Sequence, residues 1–263
     1  MSEPLTFTYA NSRIRYHKVG EGSPLVVLHG WGSSSRVMMP VAKHLAHLRT
    51  CYVLDLPGFG GSDEPPKAWS IDDYADAVQA FIEHYELEGA DVLVHSFGGR
   101  ITLKMCSREF GKKHIQKVLI TGGAGMKPKR SFRFYVRKYT AKLLKAPFMM
   151  LPQPLRDKAL NKLRKTNLWK SLGSSDYSKL SGVMRQTFVK SVTEHLEPCL
   201  PHIPHEVLLL WGRNDDATPV YQGKRIEEGI EGAALVIIED AGHYAFLDKP
   251  KQFARIAAAF LEG

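Results

Sequence analysis

Residues 91–99, DVLVHSFGG, constrain what this chain can fold into more than any other stretch. Val92-Leu93-Val94 is short, branched and apolar, and polar residues bound it, which is the pattern of a buried strand. It runs directly into His95-Ser96-Phe97-Gly98-Gly99, and a helical pattern follows with Ile101, Leu103, Met105 and Cys106. A strand that turns abruptly into a helix holds the residue at the turn clear of the backbone, beside the free amides of the helix start. Ser96 occupies that place, as the nucleophile of such an elbow would. Gly98 lets the helix start pass close to the strand, and Gly99 keeps its first turn uncrowded. On these residues alone, a serine that merely caps a helix is an open alternative.

The rest of the chain sets this turn in a larger pattern. Strands are predicted at residues 6–9, 13–19, 24–28 and 50–54, and again at 115–120 beyond the turn. Helices are predicted at 36–48 and from a capping-box-like Ser70-Ile71-Asp72-Asp73, the latter with Tyr74, Ala77, Val78, Phe81 and Ile82 on one face. From Met126 the alternation stops. Helical segments at 131–145, 155–172 and 177–195 follow, broken by Pro147, Pro152, Pro154 and Gly173-Ser174-Ser175. A strand at 206–211, a helix at 219–229, a strand at 234–238 and a helix at 249–261 complete the chain. The expected fold is α/β, a doubly wound, mostly parallel sheet of eight strands. Its core is residues 1–125 and 200–263, and residues 126–199 form an all-helical cap over the strand C-terminal ends, where open sheets of this kind bind ligands.

Composition adds bounds. The 263 residues suffice for one large domain, and 44% apolar with 24% charged residues is ordinary for a globular protein. No apolar run reaches the roughly 18 residues of a spanning helix, and the N-terminus lacks the layout of a signal peptide. Cys51, Cys106 and Cys199 are odd in number and without metal-like spacing, which points to free thiols in the cytoplasm. Charge is uneven. Residues 127–195 carry 17 Lys and Arg against three acids, a net +14, so the rest of a chain of net +9 is at −5.

Two further loops after strands carry reactive residue types. Asp215 lies in WGRNDDATP and His243 in EDAGHYAFLDKP, so the order along the chain is Ser96, Asp215, His243. A neutral serine is a poor nucleophile. An imidazole takes its proton, and a carboxylate fixes the imidazole tautomer and stabilises its charged form. The backbone amides of Trp31, in the turn after His29-Gly30, and of Phe97 are the candidate oxyanion donors. With LHGWG, DLPGFGGSD, HSFGG, WGRNDDATP and AGHYAFLDKP in this order, the chain resembles the α/β-hydrolase superfamily over nearly its whole length, in its single-chain, cap-bearing esterase/peptidase branch. LHGWG and DLPGFG also resemble the acyl-carrier-protein methyl ester esterases. The family elbow is G-x-S-x-G, and Val94 stands at the first glycine. Either a small neighbour accommodates it, or the nucleophile is displaced and weakened.

Around these positions stand other candidates. Asp216 is the rival acid, but Asp215 lies four residues after Trp211, the family's position. His29 is expected to support the oxyanion loop, His95 to be buried scaffolding, Asp55 to organise the turn after its strand, and Gly122 to Gly125 to form a hinge into the cap. His243 and Asp248 have an H-x4-D spacing that discriminates poorly between branches. Serine at position 96 argues against branches with a carboxylate nucleophile. The absence of HGGG argues against the hormone-sensitive-lipase type of oxyanion loop. No metal cluster, P-loop or dinucleotide fingerprint occurs, so no metal or cofactor is expected. The reading is a serine hydrolase acting on a carboxylic ester or thioester of a small to mid-sized acyl group through an acyl-Ser96 intermediate. A carbon–carbon bond hydrolase with the same three residues and a weakly catalytic sensor or binding protein are the alternatives. The basic segment is either a solvated surface or a site for an anionic substrate, an acidic acyl carrier protein or an anionic membrane face. No nucleic acid is expected as a partner, because no reading motif accompanies the charge.

Overall fold

The apolar runs pair into one eight-stranded sheet in the computed structural model, which describes residues 3–129, 132–164, 166, 180 and 182–263. In chain order the elements are β1 (Leu5–Tyr9), β2 (Ser12–Val19), β3 (Ser23–Leu28), α1 (Ser35–Leu45), β4 (Arg49–Leu54), α2 (Ile71–His84), β5 (Ala90–His95), α3 (Phe97–Cys106), α4 (Glu109–His114) and β6 (Ile115–Thr121). Then come α5 (Phe132–Met149), α6 (Gln153–Arg164), α7 (Gly182–Thr193), a 3₁₀ turn (Glu197–His202), β7 (Glu206–Gly212), α8 (Val220–Gly229), β8 (Ala233–Ile238), α9 (Ala245–Asp248) and α10 (Pro250–Glu262). Contacts divide the chain into two compact units, Met1–Lys127 with Gln186–Gly263, and Pro128–Arg185.

The sheet belongs to the first unit and is ordered β1-β2-β4-β3-β5-β6-β7-β8. β1 and β4 pair antiparallel with β2, and every pairing from β4 to β8 is parallel. The parallel strands end level, with Leu28 opposite both Leu54 and Val94, His95 opposite Thr121, and Thr121 opposite Leu210. The loops that follow these strands therefore gather at one edge of the sheet, which is the functional consequence of the fold. Alternate side chains serve opposite faces. Leu25, Val27, Val53, Leu93 and Leu119 pack against Met38 and Leu45 of α1 and Phe253 and Leu261 of α10. The other face meets α2, α3 and α8. Gly98 and Gly99 set α3 down on Leu28 and Ile120, and Gly223 sets α8 on Trp211. Ser70 and Asp73 close the capping box at the start of α2, as the sequence indicates.

Several boundaries depart from the sequence reading. α1 ends at Leu45, where the chain turns tightly and Leu48 N–H donates to Leu45 O. α5 runs through Pro147 to Met149 instead of stopping before it. Pro147 has no N–H to give the Leu143 carbonyl and its ring bears on that preceding turn, and the helix continues only two residues beyond it. The short α4 and α9 and the 3₁₀ turn are too brief to leave a periodic signal. The expected helix beyond residue 166, the 173–175 breaker and residues 177–179 of the next helix lie outside the described residues. In the second unit α5 packs against α6.

A Cβ on Gly98 would stand 2.9 Å from both Leu28 Cβ and the Leu28 carbonyl oxygen, and backbone cannot yield cheaply. Gly98→Ala should therefore destabilise by about 2 kcal/mol and lower Tm by roughly 5 °C in a thermal melt. An unchanged Tm would show that the helix–strand contact is looser than this geometry requires.

Candidate active site

β5 ends at His95 and α3 begins at Phe97, so the reversal falls on Ser96. Its φ is 49° and ψ −102°, a conformation that residues with side chains seldom adopt and that costs on the order of 1–3 kcal/mol. Backbone hydrogen bonds hold it. Ser96 N–H donates to Thr121 O at 3.1 Å, Ala124 N–H to Ser96 O at 3.0 Å, and Gly98 N–H to His29 O at 3.2 Å. His95 and Phe97 are buried, but Ser96 is partly exposed. Val94 is fully buried between its strand neighbours Leu28 and Ile120, and the turn forms regardless.

Asp215 and His243 meet at the same edge of the sheet. Asp215 Oδ1 accepts the amides of Ala217 at 3.0 Å and Thr218 at 2.8 Å. Its Oδ2 accepts Thr218 Oγ1 and His243 Nδ1, each at 2.9 Å. Burial opposes the Asp215 charge, but the bonds from His243 and Thr218 outweigh it and hold the carboxyl below the ordinary carboxylate range. Asp216, the rival acid, is exposed. The Asp215 side chain is 0% accessible and that of His243 15%, so the carboxylate is shielded while the ring reaches the surface. With Nδ1–H donated to Asp215, a neutral His243 ring keeps its lone pair on Nε2.

The segment Gly122 to Gly125, read from the sequence as a hinge, has a more direct part in the site. Gly122 has φ +53°, and a Cβ there would lie 3.0 Å from His243 Nδ1 and 3.2 Å from Asp215 Oδ2. Its carbonyl lies 2.9 Å from Thr218 Oγ1 and competes with Asp215 Oδ2 for the one proton of that hydroxyl. The flanking Thr121 and Ala124 bond the Ser96 backbone, so one short loop seats all three candidate residues. Thr218, and the contact of Gly122 with His243 and Asp215, are not read from the sequence. A Thr three residues after Asp215 is the spacing at which a carboxylate accepts a local amide and hydroxyl, and that was the available signal.

His29 and His95 hold loops in place. His29 Nδ1–H donates to Gly30 O at 2.7 Å and its Nε2 accepts Leu56 N–H at 3.0 Å, which ties the loop after β3 to that after β4. His95 Nε2–H donates to the His243 carbonyl at 3.1 Å, and the two rings lie 4.6 Å apart between centroids. The loop bearing His243 is thus bonded to the residue beside Ser96. Burial lowers the pKa of His29 to about 4, against the pull of Gly30 O, and that of His95 to about 3, with His243 lowering it further. Asp55 accepts the amides of Ser35 and Gly61 at 2.6 and 2.8 Å, organising the turn after β4 away from the three residues. Asp248 accepts Gly242 N–H at 2.8 Å and so braces the His243 loop.

Among the described residues neither the Trp31 nor the Phe97 amide donates to a protein acceptor. The Trp31 ring meets Phe59, Phe97 and Phe188 edge-on at 4.8, 5.0 and 5.1 Å between centroids. A cleft of about 970 Å³ lined by Arg15, His17, Arg36 and Lys43 includes none of the five candidate residues. Among the described residues no group of His, Cys, Asp and Glu is arranged to hold a metal ion, and no helix is long and apolar enough to cross a membrane.

The chain belongs to the alpha/beta hydrolase fold family, whose sequence pattern it matches over residues 23–250. It is 28% identical to the AB hydrolase superfamily protein YisY of Bacillus subtilis, over 92% of each chain. It is 25% identical to the 2-hydroxymuconate semialdehyde hydrolase of a Pseudomonas species, over 96% of this chain and 91% of that one. Among solved structures, an esterase from Exiguobacterium antarcticum superposes with a TM-score of 0.73 at 22% identity, over 96% of both chains.

Below about pH 6.5 the unfolded chain protonates His29 and His95 while the folded protein does not. Their folded pKa values are depressed, so stability falls as the pH drops from there towards 4, by about 1.4 kcal/mol per unit for each histidine. His95→Gln, which can still donate to the His243 carbonyl, should flatten the dependence of Tm on pH across that window. Equal slopes for the variant and the parent protein would contradict the assignment.

Proposed function

We propose that this protein is a serine hydrolase that cleaves a carboxylic ester or thioester of a small to mid-sized apolar acyl group. The carrying observation is the 2.9 Å bond between Asp215 and His243, seated on the loop that also bonds the Ser96 backbone. In this reading Ser96 Oγ attacks the carbonyl carbon and its proton passes to His243 Nε2. Asp215 keeps the ring oriented and stabilises the imidazolium. The Trp31 and Phe97 amides receive the oxyanion, each worth about 3 kcal/mol in comparable sites. The imidazolium then protonates the leaving alkoxide or thiolate, and water repeats the sequence on acyl-Ser96 to release the acid. The aromatic rings around Trp31 favour an apolar acyl group. Residues 126–199 act as the cap in this proposal. The cytoplasm is the proposed compartment, supported by three free cysteines, of which Cys51 is held inert by burial that raises its thiol to about 12 against the opposing pull of Arg49.

A second reading has specific support from the relatives. One is the Pseudomonas semialdehyde hydrolase, and another is a 2-hydroxy-6-oxononadienedioate/2-hydroxy-6-oxononatrienedioate hydrolase of Escherichia coli K12, 28% identical over 95% of this chain. Names of this kind denote cleavage beside a ketone, and the same three residues serve carbon–carbon bond hydrolysis. Turnover of activated esters graded by chain length, set against a vinylogous 1,5-diketone, separates the two readings.

A fluorophosphonate should add one mass to the intact protein, and Ser96→Ala should abolish the adduct. No adduct on folded protein would bring forward a sensor whose elbow Val94 has disabled. Thr218→Val removes a hydroxyl bonded to a charged carboxylate, a loss of about 2 kcal/mol, so kcat/KM on an activated ester should fall some thirtyfold. Thr218→Ser should restore most of it. A Val variant as active as the parent would show that Asp215 needs no such support.

A further inference from the structure

We propose that the α5–α6 hairpin docks on the surface of an anionic lipid bilayer. The hairpin presents large apolar side chains to solvent where a water-facing surface would carry polar ones. Met150 is 90% exposed, Leu143 75%, Tyr139 61%, Leu155 56% and Met149 55%. Tyr139 and Leu143 are spaced one helical turn apart on α5, and exposed Ala146 and Pro147 continue their line towards the turn. There Met149, Met150, Leu151 and Pro152 are exposed in succession, so the apolar surface culminates at the projecting corner between two helices. Contiguous exposed apolar surface of this sort marks an interaction site.

The charge around the corner identifies the occupant. Residues 128–164 hold eleven Lys and Arg and one acid, Asp157. Lys142, Lys158 and Lys162 are exposed on the two helices that carry the apolar residues. A bilayer with anionic headgroups satisfies both features together. The methionine and leucine side chains enter the acyl boundary, and the lysine stems lie along it with their ammonium groups among the phosphates. An acidic protein would have to offer a pocket for Met150 ringed by carboxylates, and a projecting corner favours a soft interface over such a pocket. The hairpin lies in the interface and does not cross it, since no helix among the described residues is long and apolar enough to do so. This proposal is independent of the chemistry assigned to Ser96.

The test is cosedimentation of the full chain with vesicles of phosphatidylcholine alone or with about one third phosphatidylglycerol. The expected result is partition to the anionic vesicles only, weakening as salt is raised because exposed charges are screened. Each basic residue near such a surface multiplies partition about fivefold. The Lys142→Glu, Lys158→Glu, Lys162→Glu triple variant should therefore lose at least tenfold, and Leu143→Glu with Met150→Glu a similar amount. All these positions are exposed, so the Tm of the variants should match that of the parent. Absence of partition to anionic vesicles, or undiminished partition of the Leu143/Met150 variant, would overturn the proposal. Capture of acyl carrier protein that the lysine reversals abolish, without vesicle binding, would also overturn it, in favour of an acidic protein at the same corner.

Discussion

Where α3 crosses β3 and β6, the backbones approach to a distance that only missing side chains permit. A Cβ on Gly98 would press on Leu28, and one on Gly99 would lie 3.1 Å from the Gly123 Cα. A helix set so low over the sheet leaves no length for a loop between β5 and α3. The chain must reverse within Ser96, which explains a positive φ at a residue with a side chain. The same closeness puts the start of α3, with the Phe97 amide, beside the serine hydroxyl. The strain is local and modest against the apolar core on both faces of the sheet, so the fold sustains it.

Below the exposed atoms lies a layer of buried polar groups with divided electrostatic roles. His29 and His95 are kept neutral by burial, and each donates one N–H to a loop carbonyl, so they position backbone without adding charge. Asp215 is ionised, and its oxygens accept from two amides, a hydroxyl and an imidazole. A carboxylate so fully solvated by the protein can keep its charge out of water. Neutral histidines hold the frame, and the charge is delivered to His243.

The sheet and the three candidate residues were legible because their signals are local. Val92-Leu93-Val94 followed by Ser96 and two glycines specifies strand, turn and helix within a few residues, and Asp215 and His243 each follow a strand that is apolar throughout. The gathering of the three came from the level strand ends that parallel pairing imposes. Gly122 was harder to read. Nothing adjacent to it in sequence shows that His243 and Asp215, both far along the chain, pack against its Cα. Thr218 likewise binds both its neighbour Asp215 and the distant Gly122 carbonyl, and only the first contact has a local signature. Pro147 lies two residues inside the end of α5, and whether a helix stops just before such a proline or just after it has no signature in the adjacent residues.

β6 and β7 are neighbours in the sheet, yet residues 122–205 separate them in sequence. Bringing such ends together carries an entropic cost that grows only logarithmically, so doubling the intervening length would add just about 0.6 kcal/mol. The sheet, the serine turn and the aspartate–histidine pair are therefore nearly indifferent to how much chain is threaded between these two strands. Segments there can lengthen, shorten or be exchanged over evolutionary time while the loops at the strand ends stay in register.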